Sequence, residues 1–372
     1  MNDVNPAAVA HTVVWGGFAL AFIFGAVANK TNFCTMGAVS DVVNMGDWGR
    51  MRMWLLSIAV AILGASGLQL AGLVDLSKSL YVSPNFPWLS YMAGGLSFGA
   101  GMTLGSGCAS KTLIRIGGGS LKSLVVFMFL GVAAYVTLKG VFGAFRVAVL
   151  DPVALHLPAG QDLPSLLAKA FGADKKSMLM LAAALVAGPL LLFVFADREF
   201  RRNFDGILGG VTVGLVVIGG WYVSGKLGYL AEDPNTLQEA FVATNSGRLE
   251  SLSFVAPQAY VLELLMFWTD TSRIVTFGIA SALGVVAGSA AYALASRNFR
   301  WESFRDAKDT ANHLIGGVLM GFGGVTAMGC TVGQGITGFS TLALGSMLTF
   351  LSIVAGSALT MKWQYARMLR EA

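Results

Sequence analysis

Long apolar runs separated by short polar loops dominate the chain. Segments at 11–29, 53–74, 88–106, 119–139, 178–196, 204–224, 273–296, 312–329 and 341–362 are apolar over roughly the 20 residues that a bilayer-crossing helix needs. The run "PQAYVLELLMFW" at 257–268 is shorter and contains Glu263, so it reads as interfacial or re-entrant. Two stretches, 140–177 and 225–256, are more polar and are expected on one face of the membrane, outside the bundle. In the first, Asp162 is placed to cap a helix that takes Pro164 in its first turn.

Composition agrees with the pattern. Of 372 residues, 55% are hydrophobic and 12% charged, against roughly 25% charged in soluble domains, and the mean hydropathy is +0.68. The fold class is therefore an all-α integral membrane protein of about nine transmembrane helices. The N-terminal stretch has neither a basic leader nor a small-residue cleavage site, and reads as a first spanning helix. Lys and Arg concentrate in the loops after the first, third, fifth and seventh segments and in the C-terminal tail, for example Arg50, Lys111, Arg201, Arg300 and Arg367. The rule that cytoplasmic loops are the basic ones puts the N-terminus outside and the C-terminus inside. The net charge of +5 fits either that surplus or an anionic substrate.

The Gly-rich segments repeat. "FGAVANKTNFC" (24–34), "FGAGMTLGSGC" (98–108) and "MGFGGVTAMGC" (320–330) each carry Gly at the second position and Cys nine residues later. "VGLVVIGGWYV" aligns Gly214 with Val223 and lacks the cysteine. Cys34, Cys108 and Cys330 are all the cysteines in the chain, and they hold one repeated position. The copies end the first, third, sixth and eighth segments, which gives two four-helix halves of opposite orientation. Such inverted repeats place a substrate site between broken helices at the midplane. The division is 1–140 for the first half, 141–203 for an external polar segment and connecting helix, and 204–372 for the second half.

Glycine before cysteine, at Gly107 and Gly329, is expected to break the spanning helix and let backbone approach a ligand. "CTMGAVSDVVNM", "CASKTLIRI" and "CTVGQGITGF" then read as new short helices, whose free N–H groups suit an anion. A thiol is a soft, weak hydrogen-bonding group, matched to a polarisable sulfur atom, so a reduced sulfur oxyanion suits both features. Lys111 either attracts the anion or serves as an orientation charge. Thr331 and Gln334 either donate to substrate oxygens or satisfy loop backbone. Asn32 and Thr35 flank Cys34 as substrate contacts or helix caps. His11, His156 and His313 are scattered and read as interfacial. Zinc and redox-pair spacings are absent, and "GFGGVT" and "GAGMTLG" lack the strand-and-helix context of a nucleotide site. No cofactor, metal or nucleic acid is expected, only membrane lipid around the bundle.

With "NFCTMGAVSD", "GSGCASKTLIR" and "GCTVGQGITG" in place, the sequence resembles the YeeE/YedE family over nearly the whole chain. The resemblance implies an hourglass-shaped bacterial inner-membrane protein with inward-dipping short helices. It implies uptake of thiosulfate past Cys330, Cys108 and Cys34 in turn, through transient S–H···S hydrogen bonds. A TusA-like cytoplasmic sulfur carrier is an implied partner, and relatives linked to selenium metabolism leave a related selenium compound open as substrate. The rival reading is a membrane-embedded sulfurtransferase that passes sulfane sulfur as a cysteine persulfide; a non-specific anion channel is a third.

Overall fold

The computed structural model describes residues 5–234 and 236–371. Residues 1–4 and 372, at the ends of the two expected halves, and Asn235 in the polar stretch 225–256 lie outside them. The helices follow in the order α1 (Pro6–Lys30), α2 (Thr35–Ser40), α3 (Gly49–Leu70), α4 (Trp88–Leu104), α5 (Ala109–Gly117), α6 (Leu121–Lys139), α7 (Val141–Phe145) and α8 (Leu163–Phe171). They continue as α9 (Lys175–Ala196), α10 (Arg198–Arg202), α11 (Phe204–Tyr222), α12 (Ala256–Met266), α13 (Phe277–Ala295), α14 (Ala307–Thr326) and α15 (Leu344–Glu371). Asp41–Met45, Arg146–Leu150, Val223–Leu227 and Gly333–Gly338 wind as wider π-type turns. Two short hairpins, β1 (Asn85–Phe86) with β2 (Leu155–His156) and β3 (Tyr229–Leu230) with β4 (Ala240–Phe241), decorate the loops.

The long helices α1, α3, α4, α6, α9, α11, α13, α14 and α15 fall on the nine apolar segments. Among the described residues, seven helices are long and apolar enough to cross a membrane. In the same bundle stand α4, with 17 residues, and α14, whose first turns carry Lys308, Asp309 and His313. Polar side chains cap some of the long helices: for α11 Asn203 accepts from Gly206 N at 2.9 Å, and for α14 Asp306 accepts from Asp309 N at 2.7 Å. Asp162 caps α8 through Ser165 N at 3.1 Å, with Pro164 in the first turn as expected.

Apolar helices gain nothing by leaving lipid for one another, so close backbone approach must hold them. The repeated glycine of the sequence motif supplies it. A Cβ on Gly99 of α4 would lie 2.7 Å from Ser357 N of α15, and one on Gly321 of α14 would lie 2.8 Å from Ala134 N of α6. Gly25 of α1 abuts the backbone of Val285 in α13, and Gly214 of α11 would meet Val60 Cβ of α3 at 2.7 Å. Gly94 and Gly101 set α4 against α14, with Ala327 N and Met320 N at 2.6 and 2.7 Å from the missing methyls. The partners are reciprocal: α1 packs on α13 as α11 packs on α3, and α4 packs on α15 as α14 packs on α6.

Two expectations change. The stretch 225–256 does not stay outside the bundle: Leu249, Leu252, Phe254 and Val255 are at most 1% exposed, because the chain descends from β4 into the protein before α12 begins. The segment at 257–268 is accordingly re-entrant, with Gln258 Nε2 donating to Ala109 O at 3.0 Å, beside Cys108. In 140–177, Gln161 and Asp162 are buried where Leu163 N and Leu344 N exchange backbone bonds with Leu342 O and Gln161 O. The fourth glycine copy does not break at Val223; its helix runs on into Val223–Leu227.

Candidate functional site

The helices α1, α4 and α14 stop in the same way. Asn32, Ser106 and Met328, each two residues before a cysteine, take left-handed φ values of 52°, 55° and 58°. The next amide reaches back to close the last turn: Phe33 N to Ala28 O at 3.1 Å, Gly107 N to Met102 O at 2.9 Å and Gly329 N to Gly324 O at 2.7 Å. With the accompanying bonds from Asn32 N to Asn29 O, Ser106 N to Thr103 O and Met328 N to Val325 O, this is the Schellman arrangement. The residue that ends each helix is thus the one before Gly107 or Gly329. Those glycines leave room for the helix that follows, a Cβ at Gly107 meeting Lys111 Cγ at 3.3 Å and one at Gly329 meeting Gln334 Cγ at 3.0 Å. Phe33 takes their place in the first copy.

New short helices then begin, as expected, with cysteine at the N-cap. Cys34 Sγ accepts Gly37 N at 3.4 Å, and Cys330 Sγ accepts Gly333 N at 3.3 Å. Cys108 holds the N-cap position of α5 without a side-chain capping bond, its sulfur 3.3 Å from Ser110 Oγ. An N-cap side chain satisfies an amide left without a carbonyl partner. A sulfur in that place sits at the positive end of a helix and accepts only weakly.

The three breaks converge. The Cys34, Cys108 and Thr331 side chains are close neighbours. Cys34 is 6% exposed, Cys108 and Cys330 fully enclosed, and all three are free thiols. Thr35 and Thr331, which follow two of the cysteines, have buried hydroxyls with no protein partner, as does the Gln258 amide oxygen. Gln334 is different: its amide donates to Ala327 O and its oxygen accepts Ser346 Oγ at 2.6 Å, which secures the end of α14. Stacked aromatics seal the surroundings, Phe33 on Trp54 at 4.8 Å and Phe24 beside Phe254 at 5.3 Å.

Cavities approach this neck from both ends of the bundle. One of 270 Å³ runs between Tyr81, Glu250, Tyr260 and the start of α13 down to Met328 and Gly329. The other, 630 Å³, opens at the opposite ends of the helices and reaches Cys34. Its wall carries Arg50, Lys111, Arg115 and Arg300 against the single acid Glu302. Arg50 is held by buried Asp41 and Arg115 donates to Ser106 O at 2.9 Å, bracing the break. Lys111, by contrast, has no ion pair among the described residues.

Sequence reasoning missed Gln258, Asp41 and Arg115. Gln258 has a signal, an amide following Pro257 in an apolar run; Arg115 lies in a basic loop like Arg50, where sequence alone assigns only an orientation charge. Glu263 lies away from the neck, bound by Arg273 Nη1 at 2.8 Å and Lys139 Nζ at 3.2 Å. His11 and His156 are exposed, and His313 bonds Asp309 O at 2.7 Å; none reaches the cysteines. Among the described residues, no cluster of His, Cys, Asp and Glu is arranged for a metal ion.

Comparison with known proteins agrees in scale with this architecture. Residues 30–359 match the family described as Sulphur transport. The thiosulfate transporter TsuA of Escherichia coli (strain K12) is 25% identical over 381 residues, covering 97% of each chain. The protein of the same name from Spirochaeta thermophila is 27% identical over 361 residues, covering 94% of this chain and 98% of the relative.

Proposed function

The chain belongs to the Sulphur transport family, and from that premise we propose that it carries thiosulfate inward across the bacterial inner membrane. The observation that carries the reading is the stack of three enclosed thiols at three helix starts, between two opposed cavities. The anion enters by the 270 Å³ cavity, passes Cys330, then Cys108, then Cys34, and leaves by the basic one. Helix-start amides and the Thr331 hydroxyl compensate its oxygens, the unpaired Thr331 hydroxyl supporting that role. The thiols touch its terminal sulfur, each hydrogen bond weak enough to release. Gly107 and Gly329 keep backbone open at the passage, and Gln334 positions the Cys330 turn by anchoring Ala327. Lys111 draws the anion off the last thiol.

The basic cavity faces the cytoplasm under the positive-inside rule, which places the N-terminus outside. The reciprocal helix packing supports the division into halves at 1–140 and 204–372. A TusA-like carrier would receive the product at the inner mouth.

One observation favours a second reading. Cys34, Cys108 and Cys330 are all free thiols, as a persulfide-forming sulfurtransferase requires. Proteoliposomes given thiosulfate labelled separately at its two sulfurs separate the two. Transport delivers both labels inside in equal amounts; sulfur transfer delivers the outer label alone.

A further inference from the structure

The cavity that ends at Gly329 has an acid on its wall and no cation free to neutralise it. Glu250 lines it, on the chain descending from β4 to α12. Its Oε1 accepts Ser246 N at 2.8 Å, and its backbone carbonyl takes the Ser224 hydroxyl, which ties this loop to the end of α11. The ionisable groups facing the cavity with it are Tyr81 from the loop before α4, Tyr260 from α12 and Arg146 from the turn after α7. Neither α13 nor α14 adds one. Arg146 is engaged with Asp151 at 3.2 Å, and Arg248, two residues before Glu250, is exposed and does not line the cavity. The mouth therefore carries a carboxyl with no ion-pair partner among the described residues, where the opposite cavity is basic. An ionised carboxylate here opposes any entering anion. A protonated one is neutral and offers a hydrogen-bond donor.

We propose that Glu250 is a proton-operated gate at the outer mouth: the anion is admitted when the carboxyl binds a proton from outside water and is repelled when it is ionised. The inference rests on the inward thiosulfate transport proposed above. The proton adds to a carboxylate oxygen and returns to the same solution when the site empties, so no net charge is moved by the gate itself. Burial raises the Glu250 carboxyl above the ordinary glutamate range, against the pull of the Ser246 and Asn245 amides, which stabilise the ionised form. That brings its titration toward the pH of the surroundings.

The test is initial thiosulfate uptake into proteoliposomes of fixed internal pH, with external pH varied. Wild-type uptake should fall as external pH rises, approaching tenfold per pH unit at most, the limit of about one proton released. Glu250→Gln should carry thiosulfate at the wild-type low-pH rate and hold that rate throughout. Glu250→Asp, with the carboxylate drawn back from the cavity, should keep a pH dependence with a shifted midpoint, and covers the case in which the glutamine variant does not insert. A flat wild-type profile, a glutamine variant with the wild-type profile, an aspartate variant with an unshifted midpoint, or control by internal pH would each overturn the gate alone. Absence of thiosulfate uptake at every pH would overturn the transport reading and the gate with it.

Discussion

At the scale of single residues, Cys108 is the thiol with both Cys34 and Thr331 beside it, and it is the middle one on the proposed route. Cys108→Ala removes one enclosed sulfur, a small cavity that costs about 1 kcal/mol of stability. The variant should therefore insert and run as a monodisperse species on size exclusion, while thiosulfate uptake into proteoliposomes is lost. Near-wild-type uptake by such a folded variant would leave the thiols without a role. The cysteines were legible because a fixed nine-residue spacing from glycine survives in all three copies. The residues that actually turn the chain were not: Asn32, Ser106 and Met328 share a φ value and no chemistry. Asparagine is an ordinary choice for a left-handed position, whereas methionine tolerates it only because the surrounding bonds impose it. Gln258 was hidden for another reason, since its partner Ala109 lies 149 residues away in sequence.

At the scale of elements, the two kinds of motif glycine do different work and should fail differently. Gly99 sits at the crossing of α4 and α15, where a side chain has backbone on the far side and nothing flexible to displace. Gly99→Leu should destabilise by about 1–3 kcal/mol or more, read as a lower thermal-unfolding midpoint in detergent. Gly107 faces the Lys111 side chain at 3.3 Å, with Arg115 Nη1 at 3.9 Å, and takes no left-handed conformation. Gly107→Ala should leave that midpoint nearly unchanged and show its effect in uptake, through a displaced Lys111. Equal melting losses for the two would contradict the assignment. Hydropathy located the long helices because lipid demands a continuous apolar run. It misplaced the descent into α12, since only Leu249, Leu252, Phe254 and Val255 enter the interior, too few to stand out beside a polar hairpin.

At the scale of the whole molecule, a pathway with opposed cavities makes access one-sided. A variant retaining only Cys34 should react with a membrane-impermeant thiol reagent from the cytoplasmic side alone, because Cys34 lines the basic cavity. One retaining only Cys330 should react from the outside, more slowly, since the cavity reaches Gly329 while Cys330 itself is enclosed. The reverse pattern would overturn the orientation. Selectivity is set by the same geometry. Sulfate and thiosulfate are dianions of similar size, and the basic cavity and helix-start amides compensate the oxygens of both. They differ at one terminal atom, and on the proposed route thiols stand where that atom passes. One such contact separates the two anions by on the order of 1 kcal/mol, the net worth of an ordinary hydrogen bond. Three contacts in series, each able to reject, reach on the order of a hundredfold. A large excess of sulfate should therefore leave thiosulfate uptake nearly unchanged, whereas sulfur- or selenium-tipped analogues compete. Uptake measured against increasing sulfate decides it: competition on equal terms would mean that charge alone selects and that the passage is a plain anion channel.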